Sequence, residues 1–457
     1  MKQLKLNRIL GLLGIESLKE DVLIDYVSDN IKKVRDNSLI FHVIKDEELN
    51  FKKFKKMKNC YIVTDQPLLL EYKEEKDRFI FVSNIAQAYM KVVRFYRSMF
   101  KLPVIAVTGT CGKTTTKEMI AQVLKQDHKV VHTISSKNNL RFNNDYLFSI
   151  NDETEYGVFE TAITHPGNLL HECDIYKPDI GIITTIGIDH LNWCKSMNIY
   201  IRSKAEMLIG LENKKVLIVN SDDSNIRKID FSNYKGQIIT FGFDEGAQYQ
   251  AINLEYHGPG MKFTLVHNNS NYDFFVPGFG EHNVLNALAT IAAVHKLGFD
   301  FDYIRKGLKG FEHIRSHTEE KKGINKSIII DDTWSSNPTS VKAALKVIYS
   351  KGKDMKKIAV LGKINYLGDK KEAYYDMIAR LIIKYKIDIL VSLDKDAKII
   401  GKYALNYGLK KENYMHFENN KELVDTFKNI LDKETIVLFK FSMLDKEHKK
   451  VIEDLVE

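Results

Sequence analysis

Val104-Ile105-Ala106-Val107-Thr108-Gly109-Thr110-Cys111-Gly112-Lys113-Thr114-Thr115-Thr116 runs from an apolar strand through a glycine turn into a helix that continues past Glu118, Met119, Ile120 and Leu124. Gly109 and Gly112 allow backbone N–H groups to curl around phosphate oxygens, and the helix N-terminus adds its positive dipole end. Thr110, Cys111 and Thr115 complete the loop; Lys113 can reach the β- and γ-phosphates, and the Thr114 hydroxyl can ligate Mg²⁺. The spacing departs from the usual G-x-x-x-x-G-K-T, because Val107 stands where the first glycine would be. The competing reading, a chance glycine turn before a helix, is disfavoured because strand, turn and helix are all in place. ATP is the expected ligand.

Outward from this loop, short β-branched runs alternate with helix-like stretches: Val158–Glu160, Ile180–Ile186, Val216–Val219, Ile328–Ile330, Ile358–Leu361, Ile389–Leu393 and Ile436–Phe439. That alternation predicts an α/β fold with parallel sheets covered on both faces. The 457 residues suit about three domains at roughly 150 residues each. No repeat or low-complexity linker divides them, so the motifs place the boundaries: 1–98, 99–314 and 315–457. Ordinary hydrophobic (44%) and charged (28%) content excludes a mainly disordered or fibrous chain. An excess of 68 basic over 60 acidic side chains suits anionic substrates, but without a basic stripe interleaved with aromatics it does not describe a nucleic-acid binder.

Cys60, Cys111, Cys173 and Cys194 are widely separated, with no C-x-x-C pair or zinc spacing, so reduced thiols are expected. The apolar runs fall short of the ~20 residues that span a bilayer. The apolar part of the opening stretch is short, glycine-broken and followed by acids, unlike a signal peptide. A cytoplasmic protein is therefore expected. Phe51-Lys52-Lys53-Phe54-Lys55-Lys56-Met57-Lys58 has apolar residues at three-residue steps and reads as a helix edge with a solvated lysine face. Residues 84–100 read as an amphipathic helix leading into the next domain.

A phosphate loop needs a metal-holding acid at a neighbouring strand tip, and Tyr156-Gly157-Val158-Phe159-Glu160 supplies Glu160. The alternative for Glu160 is a strand-end acid in solvent. The next strand leads into Thr184-Thr185-Ile186-Gly187-Ile188-Asp189-His190-Leu191. In a parallel sheet these carboxyl ends share the phosphate edge, which favours a metal-site role for His190 over a structural one. Lys204, on a helix-like stretch, reads by itself as a solvated lysine.

These pieces, in this order, resemble the Mur ligases, which join a carboxylate to an amine using ATP. The loop matches T-G-T/S-x-G-K-T, and Glu160, Gly187-x-Asp189-His190-Leu191 and Lys204-Ala205-Glu206 match the middle domain at similar spacing. Gly280-x-His282-Asn283-x-x-Asn286-Ala287 resembles the stretch where the family holds adenine, and Asp331-Asp332 with Asn337-Pro338 resembles D-D-x-Y-N-A-N-P. Within the family, Lys117-Glu118-Met119, Phe142-Asn143-Asn144 and Leu361-Gly362 are most similar to the branch that adds D-alanyl-D-alanine.

The resemblance implies an acceptor-binding N-terminal α/β domain, a central ATPase domain with a mostly parallel sheet and a C-terminal Rossmann-like domain for the amine. It implies that Lys204 takes up CO₂ as a carbamate and helps His190 and Glu160 hold a second Mg²⁺. It places Asn283 and Asn286 at adenine, Asp332 at ribose, Arg315 at the phosphates, and Asn143, Asn144 and Asn337 among the substrate contacts.

The departures fall where substrates bind. Asn30-Ile31-Lys32 stands for the family's D-S-R, Lys363 and Tyr366 replace the acids of L-G-D-M-x-E-L-G, and K-G-S-R becomes Lys440-Phe441-Ser442-Met443. The expected activity is an ADP-forming carboxylate–amine ligase. Its acceptor is either the peptidoglycan precursor in the D-Ala-D-Ala-adding step or another carboxylate, such as a pseudomurein-type peptide, a poly-amino acid or a natural-product peptide. Amine and acceptor are small molecules or peptides, nucleic acid is not expected as a partner, and a monomer is expected. A P-loop phosphotransferase would explain the phosphate loop but not the distant Asp331-Asp332 and Asn337-Pro338 block.

Overall fold

The computed structural model describes residues 1–67, 70–138 and 140–457. The side chains of 70, 71, 140–142 and 446 lie outside that description, Phe142 of the Phe142-Asn143-Asn144 run among them. Strands β1 (Tyr26–Ser28), β2 (Ser38–Phe41), β3 (Cys60–Thr64) and β4 (Phe79–Phe81) pair in that order, all parallel. The lysine-rich stretch is a helix over Phe51–Lys56 that buries Phe54 and leaves Lys52, Lys53, Lys55 and Lys56 exposed. Helix α1 (Ile85–Ser98) starts where the Asn84 side chain accepts a hydrogen bond from the Gln87 N–H. That bond satisfies one of the N–H groups a helix start leaves unpaired.

The central sheet is built from β5 (Val104–Thr108), β6 (Val130–His132), β7 (Tyr156–Glu160), β8 (Ile180–Ile183), β9 (Val216–Asn220), β10 (Gln237–Gly242), β11 (Tyr249–His257), β12 (Gly260–His267) and β13 (Ser270–Pro277). Among the described residues its order is β13-β12-β11-β10-β9-β8-β5-β7-β6. All pairs are parallel except the terminal hairpins β11–β12 and β12–β13. Helices α2 (Lys113–Leu124), α3 (Asn168–Tyr176), α4 (Met197–Gly210) and α5 (Glu281–Lys296) cover it.

Because strand side chains alternate, Ile105 and Val107 join a core with Met119, Ile120 and Leu288, while Ala106 faces the opposite core with Leu169, Met207 and Leu208. A strand buried on both faces must be apolar throughout, which is why Val104–Val107 carries no polar residue. Each fully buried Val or Ile contributes about 1.5–3 kcal/mol.

The C-terminal sheet comprises β14 (Glu319–Lys322), β15 (Ile328–Asp331), β16 (Lys356–Leu361), β17 (Ile389–Ser392), β18 (Tyr414–His416) and β19 (Thr435–Lys440) in the order β14-β15-β19-β16-β17-β18. Among the described residues only the β14–β15 pair of this sheet is antiparallel. Helix α6 (Pro338–Lys351) opens with a capping box between Asn337 and Ser340 and proline at its first position, where the missing N–H costs nothing. The architecture is the α/β fold with largely parallel sheets expected from the alternating pattern. Among the described residues no helix is long and apolar enough to cross a membrane, and all four cysteines are free thiols.

Candidate active site

Register brings the glycine loop, Glu160 and the His190 segment to one edge. Glu160 pairs with Val107, and Ile183 pairs with Thr108, so the carboxyl ends of β7, β5 and β8 lie side by side. The glycine turn leaves β5 at that edge. Gly112 holds φ 84°, and a Cβ there would meet Asn286 Oδ1 at 2.3 Å; one at Gly109 would meet Thr184 Oγ1 at 2.0 Å. Both positions therefore favour glycine, and both also hold a positive φ, 149° at Gly109 and 84° at Gly112.

The loop is fastened from β8's side: the Thr110 N–H donates to Thr185 O (2.6 Å), Thr184 Oγ1 donates to Cys111 O (2.6 Å), and the Gly187 N–H donates to Thr110 Oγ1 (2.9 Å). Lys113 Nζ curls back to Thr110 O at 3.0 Å.

Glu160 is not a solvated strand-end acid. It is 1% exposed, and its two oxygens accept from Thr114 Oγ1 (2.8 Å) and Asn138 Nδ2 (2.7 Å). A hydroxyl and a carboxylate side by side beneath the glycine loop are hard oxygen donors of the kind that would suit a Mg²⁺ ion. Among the described residues no group of three or more His, Cys, Asp or Glu side chains forms a ready-made cage. His190, with φ 53°, follows β8 at the same edge. Among the described residues its buried Nδ1 has no hydrogen-bond partner, and burial lowers its pKa, favouring the neutral imidazole that can act as a ligand.

Lys204 differs from the solvated lysine its sequence neighbourhood implies. It is 1% exposed on α4, and its Nζ donates to Thr108 Oγ1 at 3.1 Å. Burial, then the Lys113 charge, pull its pKa down to about 7 against the opposing pull of Asp189 and Glu172. The reason is positional: Tyr200, Ile201, Lys204, Met207 and Leu208 share the helix face turned toward the sheet. It lies behind the cavity rather than on its wall.

A cavity of about 970 Å³ runs from the phosphate loop to the C-terminal sheet, lined by Lys113, Glu160, His190, Asn283, Asn286, Asp332 and Asn337 among others. Asn286 wedges against the loop and accepts from Thr116 Oγ1 (3.3 Å), while Asn283 Nδ2 donates to Pro277 O at 2.7 Å. Asp332 pairs with buried Lys440 at 2.8 Å and accepts from the Thr318 N–H. Asn337 spans the two domains: its Oδ1 accepts from Cys111 Sγ at 3.4 Å and its Nδ2 approaches Asp189 Oδ2 at 3.4 Å.

Arg315 is exposed and is not part of the lining, where its neighbours His313 and His317 are. Asn143 and Asn144 are buried away from the lining; Asn143 Nδ2 donates to Glu172 Oε1 (2.9 Å) on α3. The sequence reading missed Asn138, Tyr200, whose hydroxyl meets Thr110 Oγ1 at 3.0 Å, and the orientation of Tyr366 toward His190. Only Tyr200 carried a signal, its place on the same helix face as Lys204.

Residues 107–294 match the family model of the Mur ligase middle domain, and residues 317–442 that of the Mur ligase glutamate ligase domain. The UDP-N-acetylmuramoyl-tripeptide–D-alanyl-D-alanine ligase of Bacillus subtilis is 30% identical over 383 residues, covering 84% of this chain and 82% of that protein. The chain belongs to the Mur ligase family. As a Mur ligase it is an ATP-dependent, ADP-forming amide ligase. Its fold is that of MurF from Acinetobacter baumannii (TM-score 0.86, 22% identity, 99% of both chains). MurF ligase from Thermotoga maritima in complex with ADP is similar as well (TM-score 0.80, 19% identity, 94% of this chain and 96% of that one).

Proposed function

We propose that this Mur ligase adds D-alanyl-D-alanine to a UDP-N-acetylmuramoyl tripeptide. The substrates are those named for the B. subtilis relative, which aligns with more than four-fifths of the chain. The observation that carries the chemistry is the shared strand edge, where Lys113, Glu160 and His190 line one cavity. We assign acceptor binding to residues 1–98, ATP to 99–314 and the amine to 315–457, and place the enzyme in the cytoplasm, where ATP is available.

An acceptor carboxylate oxygen attacks the γ-phosphorus and ADP leaves. The amine then attacks the acyl carbon of the acyl phosphate, loses a proton and expels phosphate through a tetrahedral intermediate. Both steps concentrate negative charge, which Lys113 on the phosphate loop is placed to neutralise. Thr114 and Glu160 are the residues to hold one Mg²⁺, and His190 with Glu160 a second; when bound, Mg²⁺ supplies charge neutralisation at the phosphates. Asn283 and Asn286 border the adenine position, Asp332 the ribose, and Asn337 the reacting end.

Lys204 is suited to carbamylation, because CO₂ adds only to a neutral amine and a lysine with a pKa of about 7 is substantially neutral at physiological pH. Lys204→Ala is expected to be inactive and partly rescued by acetate; an active, unrescued variant would contradict the carbamate.

Tyr366 and Lys363, standing where the family motif carries acids, favour a second reading in which the ligase works on another amine or acceptor. Phosphate release across a panel of carboxylate and amine pairs tests both. Release that requires the UDP-linked tripeptide and D-Ala-D-Ala together supports the first; release with other pairs and none with this one refutes it.

A further inference from the structure

The loop that follows β16 crosses from the C-terminal domain to the His190 segment. The Leu191 N–H donates to Tyr366 O at 3.0 Å, and the Gly368 N–H donates to Asn192 Oδ1 at 2.6 Å. Between these two bonds the Tyr366 ring lies nearly parallel to the His190 imidazole, with centroids 5.6 Å apart and planes at 13°. Trp193 (5.6 Å) and Tyr200 (6.4 Å) flank the same imidazole from the central domain, and Tyr366 also contacts Trp193 at 4.8 Å.

Among the described residues no hydrogen bond orients the imidazole: its Nδ1 is without a partner there, and Nε2 stands 4.0 Å from Asp189 Oδ1, beyond hydrogen-bonding reach. Ring packing therefore sets its direction, with one wall supplied from another domain. Tyr366 holds that place in a left-handed conformation, φ 62°, facing His190 at φ 53°. Bulky residues adopt this conformation only where surrounding contacts enforce it, and such strain gathers at functional sites.

We propose that Tyr366 is a positioning residue that fixes the His190 imidazole when the C-terminal domain is seated on the central domain. The ligase site is then completed only by a ring delivered across the interface. This rests on the reading above that His190 takes part in the reaction.

Tyr366→Gly removes the ring while easing the left-handed backbone, so the variant is expected to fold; Tyr366→Phe keeps the ring. An offset-stacked pair of this kind supports a fall in kcat of roughly 2- to 10-fold for Tyr366→Gly. The KM for ATP should change less than about 2-fold on that scale, and Tyr366→Phe should return kcat to near wild type.

The chain has two tryptophans. In a Trp334→Phe background, Trp193 reports on the interface directly: Tyr366→Gly should shift its emission to the red as ring cover is lost, and Tyr366→Phe should not. An unchanged kcat and emission in Tyr366→Gly overturns the proposal. So does a loss confined to the KM of ATP or of the amine, or one that Tyr366→Phe fails to rescue. A His190→Ala variant separates the two failures. If it is inactive while Tyr366→Gly behaves as wild type, only the proposal falls; if it is fully active, the role given to His190 falls with it.

Discussion

Replacing Lys204 with methionine should make the protein more stable while abolishing its activity. Lys204 is 1% exposed and, among the described residues, has one neutral hydrogen-bond partner, Thr108 Oγ1. Burial is the main cause of its pKa falling from 10.5 to about 7. A fall of that size corresponds at pH 7 to a folding cost of roughly 4 kcal/mol, since the unfolded chain holds the proton freely while the folded one holds it half the time. Methionine fills similar space without a charge. It forfeits a hydrogen bond worth about 1 kcal/mol, and Thr108 Oγ1 keeps its donation to Thr161 O. The net gain is about 3 kcal/mol, or roughly 6–12 °C in the central-domain transition.

The sign with pH follows from the same comparison. Between pH 7 and 10.5 the unfolded state binds more protons, so wild-type stability rises with pH across that window, with the full penalty present below pH 7. Lys204→Met lacks this rise. Scanning calorimetry in CO₂-free buffer at pH 6, 7 and 9 reads both effects. A methionine variant that melts below wild type at pH 7, or a wild type with no rise toward pH 9, would refute the reasoning.

Three other substitutions probe the phosphate edge and its partner domain. Gly112→Ala places a Cβ 2.3 Å from Asn286 Oδ1 at φ 84° and costs about 1–2 kcal/mol in backbone strain alone; ATP titration of a folded variant should read at least a tenfold loss of affinity. Glu160→Gln keeps a partner for Thr114 but removes the charge, so kcat should fall about 10²-fold, with a higher Mg²⁺ requirement in an activity titration. Lys440→Met strands Asp332, whose side chain is 12% exposed, beside an apolar group; losing one partner of a buried pair costs about 3–5 kcal/mol, which urea unfolding of the C-terminal domain should register.

What the sequence made legible was local. The strand, glycine turn and helix at 104–124 are contiguous, and Glu160 and the Asp189-His190 segment each end a recognisable apolar run, so their meeting follows once the strands are parallel. Lys204 shows the limit of reading a residue by type: a helical lysine is ordinarily solvated, and only its position in the Tyr200, Ile201, Met207, Leu208 stripe carries the information that it is buried. Asn138, which holds Glu160, and Tyr366, which packs on His190, owe their roles to tertiary approach, which no local period encodes. Arg315 shows the converse, a residue in a suggestive stretch whose side chain faces solvent.

The central claim is that ATP activates an acceptor carboxylate as an acyl phosphate at the Lys113 loop. An acceptor tripeptide labelled with ¹⁸O in its terminal carboxylate, incubated with ATP and D-Ala-D-Ala, tests it most directly by mass analysis of the released phosphate. The account predicts one carboxylate-derived ¹⁸O in each phosphate, with release that requires the amine and is absent in Lys113→Ala. Unlabelled phosphate, or equal release without the amine, would contradict it.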